Sequence, residues 1–122
     1  MLNGEMSTSA INKFGRIDVL INNAAVSMRA LFEEVDLAVV KQVMDINFYG
    51  VLYATKYCLP EIIRNKGSVD GISSIAGYRG LPGRSGYSAS KFALNGFLEV
   101  LRTEFLKRDV HVLTACPGFT AS

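Results

Sequence analysis

Tyr87 and Lys91 are the residues whose types and spacing point most directly to chemistry. They lie four positions apart near the start of a predicted helix, so their side chains share one face. An ammonium group beside a phenol favours the phenolate, and a tyrosine prepared in this way can act as a general acid or base. Because this spacing also arises by chance, an ordinary surface pair is the alternative interpretation.

Ser74 is a second candidate, at the end of a predicted strand and one loop before Tyr87. A hydroxyl at that position can donate a hydrogen bond to a substrate oxygen and share its developing negative charge. A serine that caps a turn is the alternative.

Asn47 lies on the apolar face of a long predicted helix, beside Met44, Phe48 and Val51. Asparagine is unfavourable inside a helix, and a buried amide needs hydrogen-bond partners. We therefore expect a polar group to face Asn47. A core asparagine with its hydrogen bonds satisfied and no further role is the alternative.

Small and amide residues follow two other predicted strands, at Asn22–Ala25 and at Pro117-Gly118. Such residues let a flat ligand approach the backbone, and amide groups can hold a ribose or fix the loop. Plain turns, which asparagine and proline also favour, are the alternative.

The elements that must position these residues alternate along the chain. Apolar runs predict strands at 17–21, 68–74 and 110–115, and helical spacing predicts helices at 7–14 (closed by Gly15), from the N-cap Asp36 to about 65, and at 85–107. This order predicts an α/β fold with three parallel strands and crossover helices. Ligands bind beyond the carboxyl ends of such strands, and every candidate residue lies at that edge of the sheet or on a helix beside it.

Two features are expected to disturb these elements. Pro60 is predicted to kink or break the long helix. Asp70 and Gly71 are predicted to weaken the second strand, unless the aspartate finds a partner.

Composition excludes several other classes of protein. The 122 residues are 49% hydrophobic with a net charge of +2, which argues against a disordered tail and against a nucleic-acid binder. Cys58 and Cys116 form no motif and are expected to be small core residues rather than a disulfide. No metal cluster, signal peptide or transmembrane run is apparent, so the cytoplasm is the expected setting.

Together these residues resemble the classical short-chain dehydrogenase/reductase family, in order and over nearly the whole chain. The resemblance rests on Asn22–Ala25, Asn47, Ser74, Tyr87-Ser88-Ala89-Ser90-Lys91 and Pro117-Gly118. It implies one partial Rossmann-like, doubly wound domain over residues 1–122. It also implies hydride transfer between an alcohol or carbonyl substrate and NAD or NADP.

The resemblance also implies a role for each matching residue. Tyr87 is the general acid/base, Lys91 assists it and binds the nicotinamide ribose, and Ser74 orients the substrate oxygen. Asn47 holds a water that links Lys91 to solvent. The cofactor is lined by Asn23, Ala24, Ala25, Tyr87, Lys91, Pro117 and Gly118. The loop at 75–86 borders the substrate, and family members pair through the two long helices into homodimers or homotetramers.

Departures from the family leave alternatives open. No strand with a glycine-rich turn precedes the matched region, so we expect a fragment that carries the catalytic half and lacks the N-terminal cofactor segment and the C-terminal substrate region. Ala25 stands where the family usually has glycine. A catalytically inactive truncation, acting at most as a dimerisation module, is the second hypothesis. A sugar-nucleotide epimerase or dehydratase of the extended branch is the third, and Asn22–Ala25 argues against it.

Overall fold

The computed structural model of the chain describes residues 17–23 and 25–116, apart from the side chain of Ile75. The predicted helix at 7–14, with Gly15, and the predicted site residues Ala24, Pro117 and Gly118 lie outside the described residues.

The described part of the chain forms one sheet of three parallel strands. Strands β1 (Val19–Asn22), β2 (Ser68–Ile72) and β3 (His111–Ala115) lie side by side in that order. Val69 at the centre pairs with Leu20 on one side and with Val112 on the other. The predicted α/β sheet is confirmed, and the carboxyl ends of all three strands meet at one edge.

Each connection between neighbouring strands carries helices. The first holds α1 (Leu37–Met44), a π-helical segment (Asp45–Tyr49) and α2 (Gly50–Asn65). The second holds a 3₁₀ turn (Ile75–Gly77) and α3 (Ser85–Glu104). Helices α2 and α3 pack on the same face of the sheet. Their contacts with it form the core, which contains Ile17, Val51, Cys58, Ile62, Val69, Leu94, Leu98, Leu101, Phe105 and Val110.

The long helical stretch begins and ends as predicted. Asp36 is extended, and its carboxylate accepts a hydrogen bond of 2.9 Å from the Ala38 N–H, as an N-cap does. At the other end Lys66 is left-handed, with φ 53°, and the Gly67 N–H donates to the Ile62 carbonyl at 2.9 Å. A Cβ on Gly67 would lie 1.8 Å from the Asp18 carbonyl oxygen, so only glycine fits between α2 and β1.

The predicted break at Pro60 is wrong. Helix α2 continues through Pro60 to Asn65, and the departure from regular α-helical geometry is the π segment, well before the proline. Pro60 is exposed, whereas Cys58 and Ile62 on either side are buried. Burial of these two residues holds the helix against the sheet on both sides of Pro60. The free energy gained offsets the loss of the one backbone hydrogen bond that proline cannot make.

Strand β2 accommodates both residues that were expected to weaken it. A Cβ on Gly71 would lie 2.4 Å from Cδ1 of Leu98, so the missing side chain makes room for α3. Asp70 lies on the opposite face and accepts a hydrogen bond from the Ser68 hydroxyl, which supplies the partner it required. The absence of a side chain at Gly71 therefore allows α3 to pack closely against β2.

Among the described residues, no helix packs on the other face of the sheet, and its apolar side chains are exposed. Val19, Ile21 and Leu113 are 52%, 60% and 56% exposed. Ile21 and Leu113 flank Asp70 in register on that face. We call these three apolar side chains the open face.

Candidate active site

The carboxyl edge of the sheet brings the predicted strand-end residues together. The Ser73 N–H donates to the Ala115 carbonyl at 2.7 Å, which joins the ends of β2 and β3. On the other side the Asn22 amide reaches the Asp70 carbonyl at 3.5 Å. Asn23 and Ala25 beyond β1 are exposed. Polar and small residues from neighbouring strands therefore share one edge.

Tyr87 and Lys91 face this edge from α3. The Lys91 ammonium nitrogen lies 5.7 Å from the centroid of the Tyr87 ring. Lys91 is only 4% exposed, and its ammonium donates a 2.9 Å hydrogen bond to the Ile72 carbonyl at the end of β2. The shared helical face predicted for the pair is observed, and the hydrogen bond anchors α3 to the strand that precedes Ser74.

The burial of Lys91 makes its ammonium form less favourable. Removal from water penalises the charged form and lowers the pKa of Lys91 from its ordinary value of 10.5. The Ile72 carbonyl is a dipole and not a counter-charge, so it compensates this cost only in part. An ammonium held in such a place interacts strongly with any negative charge that develops beside it.

Ser74 directly precedes the 3₁₀ turn that follows β2. Its hydroxyl oxygen accepts a 2.9 Å hydrogen bond from the Ala76 N–H, so the turn-capping interpretation is correct as far as the oxygen is concerned. In that contact the hydroxyl only accepts, which leaves its proton available to a ligand. Ser74 is half-buried at the carboxyl edge of the sheet.

The turn after Ser74 is held by a residue that the sequence analysis missed. The Asn95 amide donates to the Gly77 carbonyl at 2.8 Å. A Cβ on Gly77 would lie 2.5 Å from the Asn95 amide nitrogen and 2.5 Å from the Ser73 hydroxyl oxygen, so the turn sits directly on α3. An asparagine inside a helix, one turn after Lys91, was the available signal.

Asn47 is 1% exposed and has polar partners, as predicted. Its carbonyl oxygen accepts from the Val26 N–H at 2.8 Å, and its amide nitrogen donates to the Val26 carbonyl, also at 2.8 Å. The same nitrogen donates to the Ser90 hydroxyl at 3.1 Å. Asn47 therefore joins the loop after Asn22–Ala25 to α3, and its role in holding a water stays a prediction.

Arg84 is a further residue that the sequence analysis passed over as part of a loop. Its guanidinium donates to the Ser27 hydroxyl at 2.6 Å and to the Met28 carbonyl at 2.8 Å. The Ala30 N–H donates to the Gly83 carbonyl at 2.9 Å. These bonds fasten the loop after β1 across the start of α3. A cation there is unfavourable for the helix dipole, which was the only signal.

The described residues fit the nicotinamide end of a dinucleotide. The Lys91 ammonium and the Ser74 and Tyr87 hydroxyls are donors suited to ribose and substrate oxygens, and Asn23 and Ala25 offer small, exposed groups. No set of three His, Cys, Asp or Glu side chains that could hold a metal occurs among the described residues. None of the helices described here is long and apolar enough to cross a membrane.

Comparison with protein families matches residues 4–122 to the model of a family described as short chain dehydrogenase. Dehydrogenase/reductase SDR family member 7B from Bos taurus is 44% identical over 107 residues, covering 87% of this chain and 33% of the relative. 11-beta-hydroxysteroid dehydrogenase A from Sesamum indicum is 38% identical over 113 residues, covering 92% of this chain and 32% of the relative.

Among solved structures, an alcohol dehydrogenase from the archaeon Thermococcus sibiricus, complexed with 5-hydroxy-NADP, superposes with a TM-score of 0.89. At 24% identity this likeness concerns the fold alone, and it covers 98% of this chain and 50% of that chain. The chain spans about a third of the length of the two curated relatives.

Proposed function

The chain belongs to the short chain dehydrogenase family, and we propose that it forms the catalytic half of an oxidoreductase that uses NAD or NADP to interconvert an alcohol and a carbonyl compound. Family membership supports an oxidoreductase with a nicotinamide cofactor. The finer assignment depends on one observation. A buried ammonium, that of Lys91, lies 5.7 Å from the ring centroid of Tyr87 at the carboxyl edge of a parallel sheet.

In this proposal Tyr87 moves the proton. During reduction its hydroxyl donates a proton to the carbonyl oxygen of the substrate, and during oxidation the phenolate removes the proton of the alcohol. The Lys91 ammonium stabilises the phenolate by its charge. Because Lys91 is buried away from water, its interaction with that charge is weakly screened. The bound nicotinamide supplies the hydride in one direction and accepts it in the other.

Ser74 and Asn47 support this transfer. The Ser74 hydroxyl, whose oxygen is fixed by the Ala76 N–H, donates to the substrate oxygen where negative charge develops. Asn47 is proposed to help hold a water that connects Lys91 with solvent. Because its side chain is engaged with Val26 and Ser90, that water would be held by its backbone carbonyl or by the second lone pair of its side-chain oxygen.

The cofactor is proposed to lie across the strand ends. Its lining includes the described residues Asn23, Ala25, Tyr87 and Lys91, together with Ala24, Pro117 and Gly118. The relative from Sesamum indicum carries the name of a hydroxysteroid dehydrogenase, which makes secondary alcohols and ketones the substrate class to assay first.

The experiment that tests the function replaces Tyr87 by phenylalanine in the intact protein. Removal of the acid/base hydroxyl is expected to lower kcat by about 100-fold or more while the dissociation constant of NADPH or NADH changes little. Tyr57→Phe, which removes the hydroxyl of an exposed tyrosine on α2, is the control.

Activity would be followed as absorbance of the reduced cofactor, over aromatic ketones and 11-ketosteroids, with both cofactors. Retention of full activity in Tyr87→Phe would refute the assignment. Absence of both turnover and cofactor binding in the wild type would favour the inactive interaction module instead.

A further inference from the structure

Ser90 is a fully buried hydroxyl that the proposed chemistry does not use. It lies on α3 between Tyr87 and Lys91 and is 0% exposed. Its hydroxyl donates to the Tyr87 carbonyl at 2.7 Å and accepts from the Asn47 amide at 3.1 Å. The hydroxyl therefore uses its one donor hydrogen and one of its two acceptor lone pairs, which fixes its orientation.

Asn47 is fixed just as firmly on its other side. Its amide group bonds both the N–H and the carbonyl of Val26, each at 2.8 Å, much as a neighbouring strand would. With the bond to Ser90, both amide hydrogens have acceptors. Val26 directly follows the loop that is proposed to line the cofactor. Asn47 is the buried residue of the π segment, and such irregular turns often occur at functional sites.

These contacts form one continuous path of hydrogen bonds. It runs from Val26 through Asn47 and Ser90 to the carbonyl of Tyr87. At Val26 the path holds the loop beside the proposed cofactor. At the Tyr87 carbonyl it holds the helical turn that carries Tyr87 and Lys91. A path between two halves of a site controls their relative position, to which transfer reactions are sensitive at the scale of 1 Å.

We infer that Ser90 is a positioning residue, which sets the distance between the turn bearing Tyr87 and Lys91 and the loop after β1. The inference rests on the proposed function, since it concerns the geometry of that same transfer. Loss of the Ser90 hydroxyl removes a side-chain donor from the Tyr87 carbonyl and leaves one Asn47 hydrogen without its acceptor. The reacting groups then drift apart while the groups that bind cofactor and substrate remain, so kcat falls more than KM rises.

The test compares three variants of the intact protein: Ser90→Ala, Ser90→Thr and Thr103→Ala. Thr103 is the matched control because its hydroxyl also bonds back to a carbonyl of α3, that of Glu99 at 3.1 Å, but at the exposed far end of the helix. Kinetics would be measured with the ketone and the reduced cofactor that the wild type uses fastest. Binding of that cofactor would be measured by fluorescence titration.

Ser90→Ala is expected to lower kcat about tenfold while KM and the cofactor dissociation constant stay within about twofold. Ser90→Thr, which keeps the hydroxyl, is expected to recover most of kcat, and Thr103→Ala to match the wild type. Ser90→Cys keeps the size and weakens the hydrogen bond, so it replaces Ser90→Ala in the comparison if the latter does not fold.

Two results would overturn the inference while the proposed function stands. One is an active wild type with an unchanged kcat in Ser90→Ala, or in Ser90→Cys where it takes that place. The other is an equal loss in Thr103→Ala. A wild type without turnover on any ketone or alcohol, with either cofactor, would refute the proposed function and the inference together.

Discussion

The burial of Lys91 has two opposing effects, one on the stability of the fold and one on the proposed reaction. Its ammonium is buried against the Tyr87 ring and has the Ile72 carbonyl as a partner, but that carbonyl carries no full negative charge. A buried cation destabilises the folded state when no carboxylate pairs with it, as is the case for Lys91 among residues 17–23 and 25–116, and this cost is what lowers the pKa of Lys91. The same environment strengthens the effect of the ammonium on a nearby phenolate. We therefore expect Lys91 to assist the reaction at the expense of stability.

Lys91→Met tests this trade-off through its dependence on pH. The folded-state pKa of Lys91 lies below the unfolded value near 10.5, so below both values the charge is carried in both states and destabilises the fold. As the pH rises through the folded-state pKa, only the unfolded chain still binds the proton, and the free energy of unfolding increases. Methionine has no proton to lose. Wild type is therefore expected to gain stability relative to Lys91→Met as the pH rises from neutral toward the unfolded-state pKa of 10.5.

Urea unfolding of both proteins across that range measures the difference. Lys56→Met, on an exposed part of α2, controls for the loss of one positive charge. A stability difference between wild type and Lys91→Met that is constant with pH would contradict the prediction.

Much of the candidate site was predictable residue by residue. Tyr87 and Lys91 share a face because helical periodicity requires it, and Asn47 needed partners because a buried amide always does. The identity of those partners was not predictable. Ser90 and Val26 meet Asn47 only after the π segment and the crossover have brought distant parts of the chain together. Arg84 likewise bonds Ser27 across the fold, a contact that no local pattern encodes.

At the scale of elements, Gly71 decides how closely α3 approaches the sheet. Gly71→Ala would place a methyl 2.4 Å from Cδ1 of Leu98, a side chain that is 0% exposed. Such overpacking is expected to lower the free energy of unfolding by about 1–3 kcal/mol. Gly96→Ala is the matched control, because nothing lies within 4 Å of its added methyl on α3. It is expected to raise stability by about 0.5–1 kcal/mol.

Chemical denaturation of both variants checks the pair. The added change Leu98→Ala makes room for the methyl, so the two substitutions together should cost less than the sum of their separate effects. Equal stability of Gly71→Ala and Gly96→Ala would show that the approach of α3 is not limited at this point.

The path of the long helical stretch shows why element boundaries are harder to predict than element types. Proline is a reliable breaker only when nothing else holds the helix, and at Pro60 the buried neighbours Cys58 and Ile62 do so. The irregularity appears instead at the π segment, where Asn47 bonds Val26 and Ser90. Local propensity carries no information about such long-range hydrogen bonds.

At the scale of the whole molecule, one face of the sheet is packed and the other is open. Helices α2 and α3 cover the side of Val69, whereas Val19, Ile21 and Leu113 remain more than half exposed on the other side. Exposed apolar groups on a sheet favour association with other chains. The two curated relatives described above are about three times as long as residues 1–122.

Residues 1–122 produced alone are expected to self-associate through the open face. Light scattering after gel filtration should give a mass above that of one chain, and a dye specific for apolar surface should bind. Ile21→Lys replaces an apolar side chain of the open face, on the edge strand β1, by a charged one and is expected to shift the population toward the monomer. Leu106→Lys, at an apolar residue 74% exposed beyond α3, is the control and should leave association unchanged. A monodisperse monomer with a sharp cooperative thermal transition would contradict the prediction, because the contacts of α2 and α3 with three strands would then stabilise the fold without any cover on the open face.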